Sequence, residues 1–458
     1  MDGLFGLKPD SSNRIKHSLS RAVASATVFF VVLMFPLSCG CVSFTVGSDP
    51  DRSPSASRAA RAIERRAEAS EAARIVASMD VKTIAAQVLL TAVSGSDGLS
   101  EKTKDLLNEI PAGGVVLFKY NLGRGGKAAL RLSREATVSV VRGGIASGSP
   151  GLPPFVAVDH EGGGVHRFGS DLTRLPAAAA FSLSAAPAEE SVRGAALRAG
   201  RELRAVGVSL NLAPVAEAGE EGSSALFLGD RAYCADADAT GKLAAAFVAG
   251  MDEAGTACAL KHFPGNAAAD PHRALPTLLQ GKHALDAMAS PFAGVFRSAD
   301  PAAVMVSHAV VASMDPEVPG SLSRAVVTDW LRNKMGFRGM VVTDDLRMAA
   351  ISSTGRTPAQ AAVEAVAAGA DLVMTWPEDL RSLRDALVVA TGDGRLPRGR
   401  LEDAARRVVA AKLRYGLLPM DQAGLAFFEA DTGGFDSIED ELAGLRTETE
   451  RYLNERGL

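Results

Sequence analysis

The sequence predicts an α/β protein, a (β/α)8 TIM-type barrel, on three observations. Eight short, nearly continuous apolar runs recur from about residue 84 onward. Alanine-rich helical stretches separate them, and polar, chemically capable residues collect at their carboxyl ends. Runs that are apolar on both faces suit strands buried between two layers, the environment of a parallel sheet. Eight such alternations fit a closed barrel better than an open doubly wound sheet.

In order, the runs are AAQVLLTAV (85–93), GGVVLFK (113–119), PFVAVD (154–159), VSLNLAP (208–214), ACALKHF (257–263), AAVMVSH (302–308), MVVTDD (340–345) and ADLVM (370–374). Segments such as 185–207 and 238–255 have helical composition, and Gly207 and Gly255 fall where a helix carboxyl end favours glycine. Composition agrees: 47% of residues are hydrophobic but only 5% aromatic, so the core must be aliphatic and alanine-rich. A net charge of −4 without a dominant basic cluster argues against nucleic acid as a partner. No phosphate-binding glycine motif follows the first run, which counts against nucleotide cofactors.

Residues 1–41 read as a signal peptide, a lipoprotein signal or an anchor. Lys8, Arg14, Lys16 and Arg21 precede the apolar run AVASATVFFVVLMFPLS, of signal-core length and short for a membrane span. SCGC follows, which makes Cys39 or Cys41 the residue to lipidate in a bacterial lipoprotein. The expected destination is periplasmic or membrane-anchored, with attachment through that lipid or anchor. Residues 42–75 read as a tether and leading helix, 76–418 as the barrel, and 419–458 as an extension serving packing or solvent exposure. Cys234 and Cys258 read as buried free thiols, a bridge between them being the alternative.

Lys119, Asp159, Lys261, His262, His308, Asp344 and Asp345 sit at or near the carboxyl ends of runs. A barrel gathers those ends on one rim, where catalytic groups collect. Any one of them alone is explained as a strand-ending polar residue; seven together indicate a site. For Asp344 and Asp345 the competing explanation is a cap on the helix that follows.

KHFPG followed by Asp-x-His, with VVTDDLRM further on, resembles glycoside hydrolase family 3, in its β-N-acetylhexosaminidase branch. GGVVLFKYN (113–121), VAVDHEGGGVHRF (156–168), VSLNLAPVAE (208–217), DRAYCAD (230–236), SHAVVASMDPEVPGSLS (307–323) and RLEDAARRVVAAKLRYGLL (400–418) are similar to that family's other blocks, in the same order. The resemblance implies a retaining exo-β-N-acetylglucosaminidase acting on peptidoglycan fragments or related glycans, without metal or organic cofactor. It makes Asp344 the nucleophile and His272, held by Asp270, the acid/base. It assigns Asp159, Arg167, Arg231, Lys261, His262, His308 and Met374 to substrate binding, with core or structural roles open for Met374 and Arg167.

The chain departs from the family pattern at several positions. Asn266 stands where a histidine is usual, the loop before Asp270 is shorter, and Pro271 replaces a serine. Gly164 stands where an arginine is usual, and Glu217 where an aspartate is common. Two alternatives follow: phosphorolysis of the same bond, and a non-catalytic exported sugar-binding lipoprotein.

Overall fold

The computed structural model describes residues 54–219, 228–266, 270–431, 435 and 437–458. The expected signal or lipidation segment, most of the tether, and Ala267–Ala269 of the shortened loop lie outside the described residues. Among the described residues no helix is long and apolar enough to cross a membrane.

Eight parallel strands run β1 (Leu89–Ala92), β2 (Gly114–Leu117), β3 (Phe155–Val158), β4 (Leu210–Asn211), β5 (Ala257–Phe263), β7 (Ala303–Val306), β9 (Met340–Thr343) and β10 (Val373–Thr375). The sheet order is β10-β1-β2-β3-β4-β5-β7-β9. A parallel bridge between Val342 and Leu372 joins β9 to β10, so the sheet closes on itself. Each of the eight apolar runs contributes one strand. The first run begins differently from expectation: residues 81–87 form a helix, capped by the Asp80 carboxylate on Thr83 N–H at 2.7 Å, and the strand starts only at Leu89. A short apolar stretch does not by itself distinguish a helix end from a strand start.

Three elements were not foreseen. β6 (Thr277–Leu278) and β8 (Val310–Val311) form a small parallel pair outside the barrel. Residues Ala325–Lys334 adopt a π-helix. The helices expected over 185–207 and 238–255 are present as Ala188–Ala205 and Ala237–Glu253, with Gly207 at φ +79° and Gly255 at φ +72° beyond their ends. Cys258 is a buried free thiol, whereas Cys234 is free but only partly buried, because it lies in the loop before the second of these helices.

Strand alternation divides the core. Leu90, Val116, Phe155, Ala157, Leu210, Ala257, Ala259, Met305, Met340, Val342 and Met374 pack inside the barrel. Their neighbours Val115, Val156, Val158, Cys258, Leu260, Val304 and Val341 pack outward against the helices. Val408 and Tyr415, from the end of the Arg398–Arg414 helix, join the inner cluster. Tyr415 hydrogen-bonds Asp252, which precedes β5, so this helix plugs the amino-terminal end of the barrel. The carboxyl-terminal end stays open for chemistry.

The same helix carries Lys412, fully buried, with its ammonium donating to Gln87 Oε1 at 2.7 Å. Burial pushes this amine down to about 7. The folded value lies below the unfolded one, so the unfolded chain binds more protons above pH 7 and stability rises with pH there. Between pH 7 and 8.5 the gain is on the order of 2 kcal/mol; above that, ionisation of the buried Cys258 thiol, which burial pushes up, works in the opposite direction. Lys412→Met is expected to flatten this rise, as read from urea midpoints at the two pH values.

The extension after residue 418 folds as helices Gln422–Ala430 and Ile438–Asn454. The second lies against Ala188–Ala205: Thr449 Oγ1 donates to Glu202 Oε1 at 2.6 Å, and Tyr452 OH to Glu190 O at 2.9 Å. Gly194 permits this approach, because a Cβ there would meet the Tyr452 hydroxyl oxygen at 2.0 Å.

Candidate active site

Alternation continues past the strand ends and selects what faces the mouth. On β3 the inward residues are Phe155 and Ala157, so Asp159 comes next. On β5, Ala257 and Ala259 lead to Lys261; on β9, Met340 and Val342 lead to Asp344. By the same count Phe118 follows Val116 above β2, and Trp376 follows Met374 above β10.

The mouth is polar on the β3–β5 side. Lys261, 2% exposed, donates to Asp159 Oδ1 at 2.8 Å and lies 2.6 Å from Glu161 Oε1. Arg167 reaches Asp159 Oδ2 at 3.2 Å, and Arg231 makes two bonds to Glu161 at 2.7 and 2.9 Å. Three cations and two carboxylates thus form one chain of pairs. Burial alone would raise Asp159, but the Lys261 and Arg167 charges outweigh it and hold the carboxyl down to about 2. The segment is held in place by Asn211 of β4, which bonds both His160 N–H and His160 C=O at 3.0 Å. Gly162, at φ +104°, is required where it stands, since a Cβ would lie 2.2 Å from Pro176 O. At Gly164 a Cβ would meet nothing within 4 Å, so the position has room for a side chain and carries none.

His262 is organised by Glu217. The Glu217 carboxylate takes His262 Nδ1 at 2.7 Å and the Asn266 backbone N–H at 2.7 Å. One carboxylate therefore fixes both a strand-end histidine and the start of the loop that carries Asp270 and His272. The longer glutamate in place of the family's aspartate reaches both groups.

Asp344 lies above β9, 8% exposed, and its Oδ1 accepts from Asp345 N–H at 2.9 Å. Neither aspartate caps a helix end, since the next helix begins only at Ala349, with Met348 before it. Asp345 accepts from Trp376 Nε1 at 2.7 Å and from Arg347 N–H at 2.9 Å. Burial lifts the Asp345 carboxyl above the usual range, with the Trp376 hydrogen bond opposing. His308 is fully buried: its Nδ1 meets Ser321 Oγ at 2.6 Å and its Nε2 meets Asp345 O at 3.0 Å. Burial pushes this imidazole down, so it is neutral near pH 7. Met374 is buried within the inner barrel cluster.

Asp270 Oδ1 receives both the His272 backbone N–H and ring Nδ1, each at 2.9 Å. Burial opposes, but these two hydrogen bonds hold the Asp270 carboxyl below its ordinary value. An ionised carboxylate can only accept, so Nδ1 carries the proton and Nε2 is left to face solvent or substrate. The loop is tied down at three points. Asn266 N–H bonds Glu217, Pro271 O accepts from Ala350 N–H at 3.1 Å, and β6 pairs with β8 just past His308. The second tie joins the Asp270–His272 loop to the segment that directly follows Asp344 and Asp345.

Lys119 is exposed at the start of a short helix and stands outside these linked groups. Sequence reading passed over Glu161, Phe118, Tyr120 and Trp376, and it noted Glu217 only as a departure from a common aspartate, without a role. The signal for Phe118 and Trp376 was the two-residue period, extended one step beyond Val116 and Met374. Among the described residues no group of three or more His, Cys, Asp or Glu side chains is placed to hold a metal ion.

Residues 80–411 match the model of the glycosyl hydrolase family 3 N-terminal domain. The chain belongs to glycosyl hydrolase family 3. It is thus a glycoside hydrolase, and the eight-stranded barrel is that family's (β/α)8 domain. A protein named beta-hexosaminidase from Thioalkalivibrio sulfidiphilus is 36% identical over 297 residues, covering 63% of this chain and 81% of the relative. Among solved structures, a family 3 β-N-acetylglucosaminidase from a Paenibacillus superposes with a TM-score of 0.67 at 28% identity, covering 80% of this chain and 69% of that one. A β-N-acetylhexosaminidase from Beutenbergia cavernae gives 0.65 at 29% identity, covering 73% and 98%.

Proposed function

We propose that this family 3 hydrolase is a retaining, exo-acting β-N-acetylglucosaminidase. The observation that carries the reading is the tie between Pro271 O and Ala350 N–H, which mounts the Asp270–His272 pair on the element that follows Asp344. Two reactive groups fixed to one element can serve one bond. The relatives' names supply the amino-sugar preference.

In the first step the Asp344 carboxylate attacks the anomeric carbon while the bond to the leaving oxygen breaks. His272, entering this step doubly protonated, donates its Nε2 proton to that oxygen and keeps the Nδ1 proton on Asp270. In the second step water attacks the same carbon, His272 takes its proton, and Asp344 departs as a carboxylate. Asp159, Lys261, Arg231 and His262 would hold hydroxyls and the acetamido group of the terminal sugar.

The apolar run in residues 1–41 supports export, with a lipid on Cys39 or Cys41 as a membrane tether, and a cell-envelope glycan such as a peptidoglycan fragment as substrate.

The purified protein is expected to release chromophore from an aryl N-acetyl-β-glucosaminide, with the β-anomer as the first sugar seen by NMR. No turnover on several amino-sugar glycosides would sink the enzyme reading and leave sugar binding. A first-formed α-anomer would reject the covalent aspartate. A glycosyl phosphate formed in phosphate buffer would assign phosphorolysis, which an imidazole acid/base tolerates better than a second carboxylate.

A further inference from the structure

The polar half of the mouth faces an aromatic half. Phe118 and Trp376, the inward residues above β2 and β10, stack with ring centroids 5.3 Å apart and planes 5° from parallel. Tyr120 continues the stack on Phe118 at 6.0 Å and 18°, and is 50% exposed. In the sheet order β10 and β2 flank β1, which lies across the barrel from β5 and Lys261.

The stack is mounted rigidly. Asn121 Oδ1 accepts from Phe118 N–H at 2.8 Å, while its Nδ2 donates to Val93 O and Gly95 O. Tyr120 OH donates to Val93 O at 2.9 Å. Trp376 is fixed by its 2.7 Å bond to Asp345, whose neighbour is Asp344. The aromatic surface is therefore continuous with the place where the bond is cut.

We propose that the outer face of Trp376, backed by Phe118 and with Tyr120 at the margin, forms the subsite for the leaving group, and that its occupant is a gluco-configured pyranose ring. This rests on the reading of Asp344 as the centre of glycoside cleavage. The terminal sugar needs hydrogen-bond partners for its hydroxyls and acetamido group, and these lie on the β3–β5 side. What remains of the glycan must leave across the other side. A β-linked gluco-configured ring carries its substituents equatorially and shows C–H groups on both faces, so it lies flat on an aromatic plane. Preorganised rings lose little freedom on binding, which suits a subsite of modest strength.

The test compares two substrates, N,N′-diacetylchitobiose and methyl N-acetyl-β-glucosaminide, on the full chain. Trp376→Ala is expected to lower the ratio of kcat/KM for the disaccharide over that for the methyl glycoside about 10-fold, a loss of roughly 1.4 kcal/mol of transition-state binding that only the disaccharide makes. Trp376→Phe keeps an aromatic face and loses the bond to Asp345; it is expected to restore the disaccharide to within about 3-fold of wild type. Equal losses on both substrates would overturn the proposal and make Trp376 a support for Asp345. An unchanged substrate ratio with normal rates would overturn it outright. If wild type cleaves the methyl glycoside, the reading of the site stands whatever the ratio shows; if it cleaves neither, both fall. Fluorescence gives an independent readout. The chain has two tryptophans and Trp330 is buried, so a disaccharide-dependent change, absent with the monosaccharide and lost in Trp376→Phe, would come from the platform.

Discussion

Asp344→Ala is expected to cut turnover of an aryl N-acetyl-β-glucosaminide by roughly 10⁴-fold while the protein stays folded. Among the described residues no cation lies within ion-pair distance of Asp344, so its removal breaks no salt bridge. Among the described residues its carboxylate makes one hydrogen bond, accepting from the adjacent Asp345 N–H. A carboxylate kept buried without a cation costs stability, so the thermal midpoint of the variant should match or exceed wild type. Azide makes the outcome specific. In the space left by the carboxylate, azide can attack the anomeric carbon directly, forming a C–N bond as the leaving oxygen takes its proton from His272. The product expected is the α-glycosyl azide, from one inversion. A β-azide, or activity retained near wild type, would remove Asp344 from the nucleophile's role.

The second large effect concerns Lys261. Its ammonium sits between the Asp159 and Glu161 carboxylates at 2.8 and 2.6 Å. Lys261→Met leaves two carboxylates facing an apolar chain, with Arg167 and Arg231 at their outer ends. Breaking a buried ion pair from one side costs about 3–5 kcal/mol, so the urea midpoint should fall sharply and activity with it. Lysine to arginine should not rescue, because a planar fork cannot replace a compact ammonium between two carboxylates. The acid limb of the stability curve provides the diagnostic. In wild type Asp159 is held at about 2, below the 3.8 of a free aspartate. Its contribution is complete above pH 3.8 and is lost as pH falls through 2. In the variant that part of the rise between pH 2 and 4 should vanish. A midpoint unchanged by Lys261→Met would show that the two arginines alone neutralise the pair.

Much of this arrangement was legible in the sequence because a parallel barrel writes itself in period two. Eight apolar runs became eight strands, and the polar residues at their ends came to one mouth. Counting stopped one step early, however. It registered residues that change from apolar to polar, such as Asp159 and Asp344, and ignored Phe118 and Trp376, which are aromatic where the strand already was apolar. What Glu161 and Glu217 hold was invisible for a different reason. Their partners, Arg231, Lys261, His262 and Asn266, are tens of residues away in the chain, and only folding brings them together. The helix over 81–87 reads like the start of a strand because Ile84, Ala85 and Ala86 are buried in either conformation.

The closure of the barrel sets the spacing of two lips of its mouth. β9 and β10 meet at a single bridge, Val342 with Leu372, and the Thr343 hydroxyl accepts Met374 N–H at 3.1 Å where a ladder bond would stand. The other neighbouring strands pair over two to four residues. Three backbone hydrogen bonds nevertheless cross here, Asp371 and Leu372 N–H to Val341 O and Thr343 N–H to Leu372 O, and the Asp371 carboxylate adds a fourth by accepting from Val341 N–H. The seam between Asp344 on one lip and Trp376 on the other is therefore stitched by side chains where the ladder is short, and the spacing of the two lips is set by those stitches.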